Sequence, residues 1–358
     1  MKEAILQTEH YPIMLCESAG EKVDLFLEGK DYSSIFILMD ENVMENCWSI
    51  LHHESERLKE AEILLIEAGE SQKNIEIANQ LWETLNDYGA DRSSLIVNFG
   101  GGVSSDLGGF VASTFKRGID FINIPTTLLS MVDASIGGKT GINLHSSKNQ
   151  VGLFSEPRAL FIQTDFLKTL SDRQILSGWA EMLKHGLIAD KQHWESLIKL
   201  KNIDTDQIQG EIFNSITIKK EIVAQDPTEQ NIRKTLNFGH TLGHALETWS
   251  LKNDKDPLLH GEAIAIGMVV ESYLSVKIAQ LSQEEFEQIY TQIFKFYKPY
   301  HINDSFTEEL EKLLSQDKKK SGNKLNLTFV NTIGKSIINQ QCSLEDIKES
   351  IKFYKETI

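Results

Sequence analysis

Short apolar runs alternate with helical patterns through the first half of the chain, and this alternation restricts the possible folds more than any other feature. The runs that read as buried strands cover residues 33–39, 63–66, 95–99, 121–124 and 159–163. A helical pattern over residues 74–88 stops at Gly89. Such alternation implies parallel strand pairing with helices on both faces of the sheet. We therefore predict an α/β domain over residues 1–170 with a parallel, Rossmann-like sheet.

The predicted strands end in polar or glycine-rich turns, and ligands of parallel sheets bind at these carboxyl ends. Asp40 follows the first strand and could accept a hydrogen bond from a ribose hydroxyl. Gly100-Gly101-Gly102 opens a helix whose free N–H groups and positive dipole end suit a pyrophosphate. The run does not satisfy G-x-G-x-x-G, because Ser105 stands where the last glycine should be. A tight turn without a ligand is therefore the alternative interpretation.

Two lysines, Lys139 and Lys148, lie in or beside glycine-rich turns instead of on a solvated helix face. In such a turn the backbone can approach an anion closely while the ammonium group supplies the charge. The Walker pattern G-x-x-x-x-G-K-[ST] is not met, since the residue five before Gly138 is Asp133. The sequence thus favours an anion-binding turn and excludes a P-loop.

From about residue 171 the apolar pattern changes to a helical period. Helices are predicted over residues 171–189, 204–225, 231–249, 261–280 and 283–296. One hairpin follows, with strands at 325–330 and 336–338 around Gly334. We therefore predict a second, mainly α-helical domain over residues 171–358.

The second half also holds the densest group of metal-ligating side chains. His240 and His244 are four residues apart on an amphipathic pattern, so both imidazoles lie on one helical face, with Glu247 one turn further. Such a pair is a common arrangement for a divalent metal, and Glu181 could complete a three-ligand site with an open position. His260, followed by Gly-Glu, favours the metal. The alternative interpretation is a pair of histidines that hydrogen bonds satisfy in the core or at the surface.

Bulk properties exclude several classes of partner. A formal net charge of −16 argues against nucleic acid or an anionic membrane, because both need a basic surface. Cys16, Cys47 and Cys342 are odd in number and far apart, which fits neither a disulfide framework nor a thiolate zinc site and favours a reducing compartment. No apolar segment approaches the ~20 residues needed to span a bilayer, and we expect a cytoplasmic protein.

Many of these motifs belong to a single set that occurs in a fixed order between about residues 40 and 320. The set includes Gly100-Gly-Gly-Val, Lys116-Arg117-Gly118, Gly137-Gly-Lys-Thr-Gly, Leu236-Asn237-Phe-Gly-His240-Thr-Leu-Gly-His244, His260-Gly-Glu262 and Asp317-Lys-Lys. In this the chain resembles the 3-dehydroquinate synthases of the sugar-phosphate cyclase family. The resemblance implies an NAD- and metal-dependent lyase of the shikimate pathway, which leads to chorismate and the aromatic amino acids.

The activity that the resemblance implies is conversion of 3-deoxy-D-arabino-heptulosonate 7-phosphate to 3-dehydroquinate and phosphate. It would proceed by transient oxidation, phosphate elimination, re-reduction and intramolecular aldol closure, with NAD regenerated. The resemblance also implies a homodimer, in which Arg117 reaches the substrate of a second subunit.

The resemblance further implies roles for individual residues. The metal, zinc or cobalt, would be bound by Glu181, His240 and His260, so that His240 and His244 have different tasks. The first domain would bind NAD through Asp40, Glu70, Lys73, Gly101, Gly102, Val103, Ser104, Ser105, Asp106, Thr126, Thr127, Lys139, Lys148 and Thr169. The substrate would contact Arg117, Asp133, Lys139, Asn149, Lys184, Lys219, Arg233, Asn237, His244 and Lys318. The catalytic residues would be His244, Glu229, Lys139, Asp133 and Asn237.

Three other functions are compatible with parts of the pattern. A sister cyclase of the 2-epi-5-epi-valiolone or 2-deoxy-scyllo-inosose synthase type shares fold and cofactors, but the presence of Lys219, Arg233, Asn237 and His244 together favours the dehydroquinate reaction. A polyol dehydrogenase of the glycerol dehydrogenase type would release NADH. A non-enzymatic binding protein with a decayed site would bind no metal.

Overall fold

The computed structural model describes residues 3–145, 147–315, 320–321 and 324–357. The chain divides into two compact units. The first unit comprises Met1–Ser171 and Asp204–Lys220, and the second comprises Asp172–Ile203 and Glu221–Ile358. The first unit thus includes a helical segment that follows the predicted boundary at residue 170 in sequence.

A seven-stranded sheet forms the centre of the first unit. The strands of this unit are β1 (Ala4–Gln7), β2 (Pro12–Leu15), β3 (Ile35–Asp40), β4 (Glu62–Ile66), β5 (Leu95–Gly100), β6 (Asp120–Pro125), β7 (Lys139–Leu144), β8 (Ser147–Phe154) and β9 (Leu160–Ile162). Those of the large sheet lie in the order β1-β2-β9-β6-β5-β3-β4, and all neighbours are parallel except β1 and β2. A separate antiparallel pair is formed by β7 and β8. The predicted Rossmann-like parallel sheet is confirmed.

Five helices of the first unit connect or cover these strands. They are α1 (Ala19–Leu27), α2 (Glu41–Asn46), α3 (Trp48–Glu54), α4 (Ile75–Asp87) and α5 (Gly102–Thr114). The α4 helix begins where the side chain of Asn74 accepts a hydrogen bond from the Ile77 amide, and it is followed by Gly89 at a φ of 73°. Leu85 of α4 and Leu107 of α5 are buried in one core cluster with Phe36 and Leu38 of β3. The strands therefore read as continuous apolar runs, because a parallel sheet is covered on both faces.

Helices make up most of the rest of the chain. They are α6 (Asp172–Ala189), α7 (Lys191–Lys199), α8 (Gln209–Gln225), α9 (His240–Asn253), α10 (His260–Ala279), α11 (Gln283–Phe296), α12 (Asp304–Ser315) and α13 (Leu344–Thr357). A three-stranded antiparallel sheet contains β10 (Lys320–Ser321), β11 (Lys324–Thr332) and β12 (Lys335–Cys342). The predicted hairpin around Gly334 corresponds to β11 and β12.

The predicted continuous helix over residues 231–249 is wrong. A 3-10 helix covers Ile232–Asn237, and α9 starts only at His240. Between them Gly239 has a φ of 77°, in the left-handed region that favours glycine, and this breaks the helical path. The break makes His240 the first residue of α9.

The three cysteines are free, and all three are buried. Burial raises the pKa of the Cys16 thiol to about 12. Within the described part of the chain, no helix combines the length and the apolar character that crossing a membrane requires.

Candidate active site

The carboxyl edge of the large sheet carries several residues that the family resemblance assigns to NAD. Asp40 ends β3 and accepts a hydrogen bond from the Val43 amide at 3.0 Å as the N-cap of α2. Glu70 follows β4, and Thr126 directly follows β6, where its amide donates to the Gly100 carbonyl at 2.9 Å. Since β4, β3, β5 and β6 are neighbours in the sheet, these side chains lie along one edge.

The glycine-rich turn leads directly into α5, with Gly101 at the N-cap position and Gly102 as the first helical residue. The first amides of a helix have no partner within the helix and are therefore available to an anion. Ser105, which replaces the expected glycine, is buried and donates its hydroxyl to the Gly101 carbonyl at 3.2 Å. Its hydroxyl also lies 3.2 Å from that of Ser130. The serine thus ties the turn to the helix without blocking its N-terminus.

A buried ion pair lies beside this turn. Lys73 is 4% exposed, and its ammonium lies 2.8 Å from Oδ2 of Asp106 and 3.5 Å from Oε1 of Glu70. Burial opposes the charge of Lys73, but the two carboxylates outweigh burial and hold its pKa above the ordinary lysine value. Asn143 donates to Glu70 at 2.9 Å, and Lys148 lies 4.0 Å from the same oxygen. These NAD-assigned residues therefore form one connected charge network.

The remaining assigned residues of the first unit lie in helices, turns and strands. The Lys219 ammonium lies 2.6 Å from Oδ1 of Asp133 and also donates to the Asp133 carbonyl. Lys139 begins β7 and is exposed, and Asn149 in β8 has a φ of 52°. Val103 and Ser104 lie in the first turn of α5, and exposed Arg117 follows that helix. The Thr127 hydroxyl accepts a hydrogen bond from the Ser130 amide. The Thr169 hydroxyl donates to the Phe166 carbonyl.

In the second unit, three side chains from three helices converge on one point. Nε2 of His240 lies 3.6 Å from Oε1 of Glu181, and Nε2 of His260 lies 3.5 Å from the same oxygen. Glu181 is fully buried. Zinc bonds of about 2.0–2.2 Å in a tetrahedral site place the ligand atoms roughly 3.4 Å apart. Both distances from Glu181 are close to that spacing, so each histidine lies from this carboxylate as two ligands of one zinc-sized ion would.

Close packing of α6, α9 and α10 makes this convergence possible. A Cβ atom on Gly261 would lie 2.1 Å from the carbonyl oxygen of Ser177, which is one turn before Glu181 on α6. A Cβ atom on Gly267 would lie 2.0 Å from the carbonyl oxygen of Gly239, directly before His240. Any larger residue at either position would separate the helices that present the three ligands.

Hydrogen bonds fix the orientation of both imidazoles. Nδ1 of His240 donates to the Phe238 carbonyl at 3.0 Å, and Nδ1 of His260 lies 3.4 Å from Oε2 of buried Glu247. Because each Nδ1 faces an oxygen acceptor, each Nε2 is the nitrogen directed toward Glu181, and it offers a lone pair to a metal once it is deprotonated. This is the arrangement found around metal-binding histidines in general. The sequence placed Glu247 on the same helical face but gave it no role.

The electrostatic surroundings of the two histidines differ. Burial lowers the pKa of His240 well below its ordinary value, and the charge of Lys184 acts in the same direction. Burial also opposes a charge on His260, but Glu247 and Glu181 outweigh burial and raise the pKa of its imidazole to about 9. Lys184 is itself buried and pairs with Glu181. Metal binding would displace the proton of His260, since a ligand must be deprotonated.

A second possible ligand set includes His244. One nitrogen each of His240, His244 and His260 lie within 4.8 Å of one another. The ring centroids of His240 and His244 are 5.1 Å apart, and those of His244 and His260 are 5.7 Å apart. His244 therefore lies close to the position that a metal ion would occupy between these side chains. It is placed to act either as a fourth ligand or as a contact of the molecule that the metal binds.

A tight loop before α9 carries three further predicted residues. Asn237 donates to Glu229 at 2.8 Å, and Glu229 has a φ of 60°. Arg233 is 1% exposed and donates to the Pro227 carbonyl. The carboxylate of Asp226 organises this loop, because it accepts from the backbone amides of Gln230, Asn231 and Arg233. Sequence reasoning missed Asp226, and a carboxylate before Pro-Thr-Glu was its only signal. Lys318, assigned to the substrate, lies outside the described residues.

Comparison with family models covers most of the chain. A model described as 3-dehydroquinate synthase N-terminal matches residues 63–177, and one described as 3-dehydroquinate synthase C-terminal matches residues 178–320. A curated 3-dehydroquinate synthase of Parabacteroides distasonis is 42% identical over 348 residues, which is 96% of this chain and 98% of that protein.

Solved structures share the fold over the whole chain. A 2-deoxy-scyllo-inosose synthase complexed with carbaglucose-6-phosphate, NAD+ and Co2+ superposes with a TM-score of 0.86 at 24% identity, covering 99% of this chain and 100% of that one. A 2-epi-5-epi-valiolone synthase of Streptomyces hygroscopicus with NAD+ and Zn2+ bound has a TM-score of 0.83 at 23% identity, covering all of both chains. At this identity the likeness concerns the fold alone.

Proposed function

Because the chain belongs to the 3-dehydroquinate synthase family, we propose that it converts 3-deoxy-D-arabino-heptulosonate 7-phosphate to 3-dehydroquinate and phosphate. The family models and a relative of almost equal length support this activity. The overall reaction is that of a carbon–oxygen lyase. The observation that carries the proposal is the convergence of Glu181, His240 and His260 at the spacing of a zinc-sized ion.

Two cofactors complete the proposal. The metal, zinc or cobalt, is bound by Glu181, His240 and His260. NAD is bound along the carboxyl edge of the large sheet by the turn at Gly101, the α5 N-terminus and the network around Lys73. When bound, NAD accepts and returns a hydride, and the metal polarises substrate oxygens as a Lewis acid. The choice of these two cofactors is supported by similar folds that have NAD+ and Co2+ or Zn2+ bound.

The substrate is anionic at two ends, and the basic residues of the chain divide between them. Lys139, Asn149 and Lys184 bind the phosphate, with Arg117 contributed by a second subunit. Lys219, Arg233 and Lys318 bind the carboxylate. Each lysine and arginine holds its anion by charge-assisted hydrogen bonds. The chain as a whole is acidic, so these residues supply the local positive charge that the substrate needs.

Proton transfer and hydroxyl contacts are assigned to four polar side chains. His244, Asp133 and Asn237 contact substrate hydroxyls, and His244 relays protons to and from them. Glu229 acts as an acid or base and is oriented by its hydrogen bond with Asn237. Such positioned groups typically contribute about 10²- to 10⁴-fold to the rate. We also propose a cytoplasmic location, with which the free cysteines agree. The homodimer is proposed from the family resemblance, through the role it implies for Arg117.

The decisive test is phosphate release from 3-deoxy-D-arabino-heptulosonate 7-phosphate with a catalytic amount of NAD and either zinc or cobalt. We expect many phosphates released per NAD with no net NADH absorbance. Steady NADH accumulation with polyols would instead indicate a dehydrogenase. Phosphate release from sedoheptulose 7-phosphate or glucose 6-phosphate, but not from the first substrate, would assign the chain to a sister cyclase.

A further inference from the structure

Glu271 of α10 joins the helices that carry the two histidine ligands. Its side chain is 1% exposed. Oε2 accepts from the Gly239 amide at 2.7 Å, and Oε1 accepts from the Leu242 amide at 3.2 Å. These are the N-cap and N3 amides of α9, the same two donors that a capping box satisfies within one helix. Gly239 has no side chain with which to cap, so a carboxylate from a different helix does so.

One face of α10 carries both Glu271 and the ligand His260. His260, Ile264, Gly267 and Glu271 follow each other at spacings of four, three and four residues, which places them on one side of the helix. The same face contacts the start of α9, because Gly267 allows the Gly239 carbonyl to approach it closely. A single helical face therefore sets the positions of both histidine ligands.

The surroundings of Glu271 make its two hydrogen bonds energetically important. Leu274, Leu314, Leu327 and Ile347 line a small cavity with it, so the carboxylate lies in a mainly apolar environment. Hydrogen bonds are stronger and unsatisfied polar groups more costly in such an environment. The negative charge also faces the N-terminus of α9, where the helix dipole is positive.

We propose that Glu271 is a positioning residue for the metal centre, which it influences by fixing the first turn of α9 and thereby the imidazole of His240. This inference rests on the metal centre of the proposed function. The arrangement is reciprocal, since α9 supplies Glu247 to His260 while α10 supplies Glu271 to the turn that begins with His240. A shift of about 0.5 Å in that turn is enough to disturb a metal site.

The test is cobalt binding to the metal-free, full-length protein. Titration gives the affinity for cobalt, and the visible absorption spectrum of the bound ion reports its ligand geometry. Glu271→Gln keeps the size of the side chain but replaces one acceptor by an NH2 group that faces a backbone N–H. We expect cobalt affinity to fall by about 10- to 100-fold, as for other groups that orient metal ligands, and the absorption spectrum to change. Glu271→Asp keeps the charge on a shorter side chain, and its affinity is expected to be intermediate.

Glu285→Gln is the matched control. Glu285 also accepts from a backbone amide of the second unit, that of Ile333 at 3.0 Å, and from the Thr332 hydroxyl at 2.6 Å. It connects α11 with the β11–β12 turn. This variant is expected to lower the melting temperature without changing the cobalt affinity or spectrum.

Each outcome decides the inference. Wild-type affinity and spectrum in Glu271→Gln, together with a lowered melting temperature, would reduce Glu271 to a stability residue and overturn the proposal. If Glu271→Gln does not fold, Glu271→Asp decides by the same two measurements. A wild-type protein that binds no cobalt, or a His260→Ala variant that binds it equally well, would overturn the proposed metal centre itself, and the inference with it.

Discussion

Two candidate ligand sets of the second unit share His240 and His260 and differ in whether Glu181 or His244 completes them. If Glu181, His240 and His260 hold the metal, then Glu181→Gln and His260→Ala should lose bound metal, while His244→Ala should retain it. His244→Ala should still lose about 10²- to 10⁴-fold in turnover, because proton transfer would lack its relay. The measurements are metal content after dialysis and phosphate release. Loss of metal from His244→Ala with retention in Glu181→Gln would favour the three-histidine set.

Asp226 predicts a specific dependence of stability on pH. Burial raises the pKa of its carboxyl group, but the three backbone N–H groups outweigh burial and hold the pKa below the ordinary value. A carboxylate with a lowered folded-state pKa stabilises the protein above the unfolded-state pKa of about 3.9 and loses that contribution as the pH falls through the folded-state pKa.

The corresponding variant is Asp226→Asn, which should be less stable at pH 7 by about 1–3 kcal/mol, as expected for lost hydrogen bonds to a charged group. Its free energy of unfolding should fall less steeply than that of the wild type on acidification below about pH 4. Denaturant titrations at several pH values measure both. Parallel pH profiles for the two proteins would show that Asp226 is not charged in the way its contacts imply.

The sequence indicates the identity of the ligating histidines better than the residues that orient them. Spacing and chemistry alone predicted His240 and His244 with Glu181, and His260 as a further candidate, while the family resemblance alone separated the proposed ligand His260 from His244. Asp226 and Glu271 could not be predicted, because a carboxylate that accepts from backbone amides elsewhere in the chain has no local sequence pattern. Their function depends on a loop conformation and on a helix crossing, which only the folded structure specifies.

At the level of elements, the α9–α10 crossing depends on glycine. Gly267→Ala would place a Cβ atom 2.0 Å from the Gly239 carbonyl oxygen, so the helices must separate. We expect a loss of about 1–3 kcal/mol in unfolding free energy, as for other overpacked cores, and weaker metal binding. Gly210→Ala in α8 is the control, since no atom lies within 4 Å of its added Cβ. That variant should gain up to about 1 kcal/mol. Equal behaviour of the two variants would contradict the close crossing.

Strands were predicted correctly where the segment is buried along its whole length, and a helix was predicted incorrectly where a single glycine interrupts it. The apolar runs of β3 and β5 are predicted to within two residues of their observed ends, because a strand covered on both faces has no polar interruption. The helix break at Gly239 was missed, since Phe238, Leu242, Ala245 and Trp249 continue a helical pattern across it at spacings of four, three and four residues. That break is what places His240 at a helix N-terminus.

For the whole molecule, the two proposed cofactors belong to different compact units. All NAD-assigned residues lie in the first unit, and the three metal-assigned residues lie in the second. We therefore expect metal alone to slow amide hydrogen exchange at the starts of α9 and α10, and NAD alone to slow it at the start of α5. The slowing should approach about 100-fold at a ligand concentration of 100 times Kd.

Hydrogen exchange followed by mass spectrometry measures this, and the metal-free, NAD-free protein is the reference. Protection of α5 by metal alone would contradict the separate assignment.

The pattern of apolar residues indicated two kinds of structure on either side of residue 170, but it gave no sign that Asp204–Lys220 belongs with the first unit. Helical periodicity specifies that a segment buries one face and does not specify which unit covers that face.

The reciprocal carboxylates of α9 and α10 also bear on how the site could be transplanted. His240, Glu247, His260 and Glu271 all belong to these two consecutive helices, and Glu181 alone comes from elsewhere in the chain. A designer who wished to graft the centre onto another scaffold would thus move one helical hairpin together with its own orienting groups. The scaffold would have to provide a single glutamate on a helix close enough to meet them.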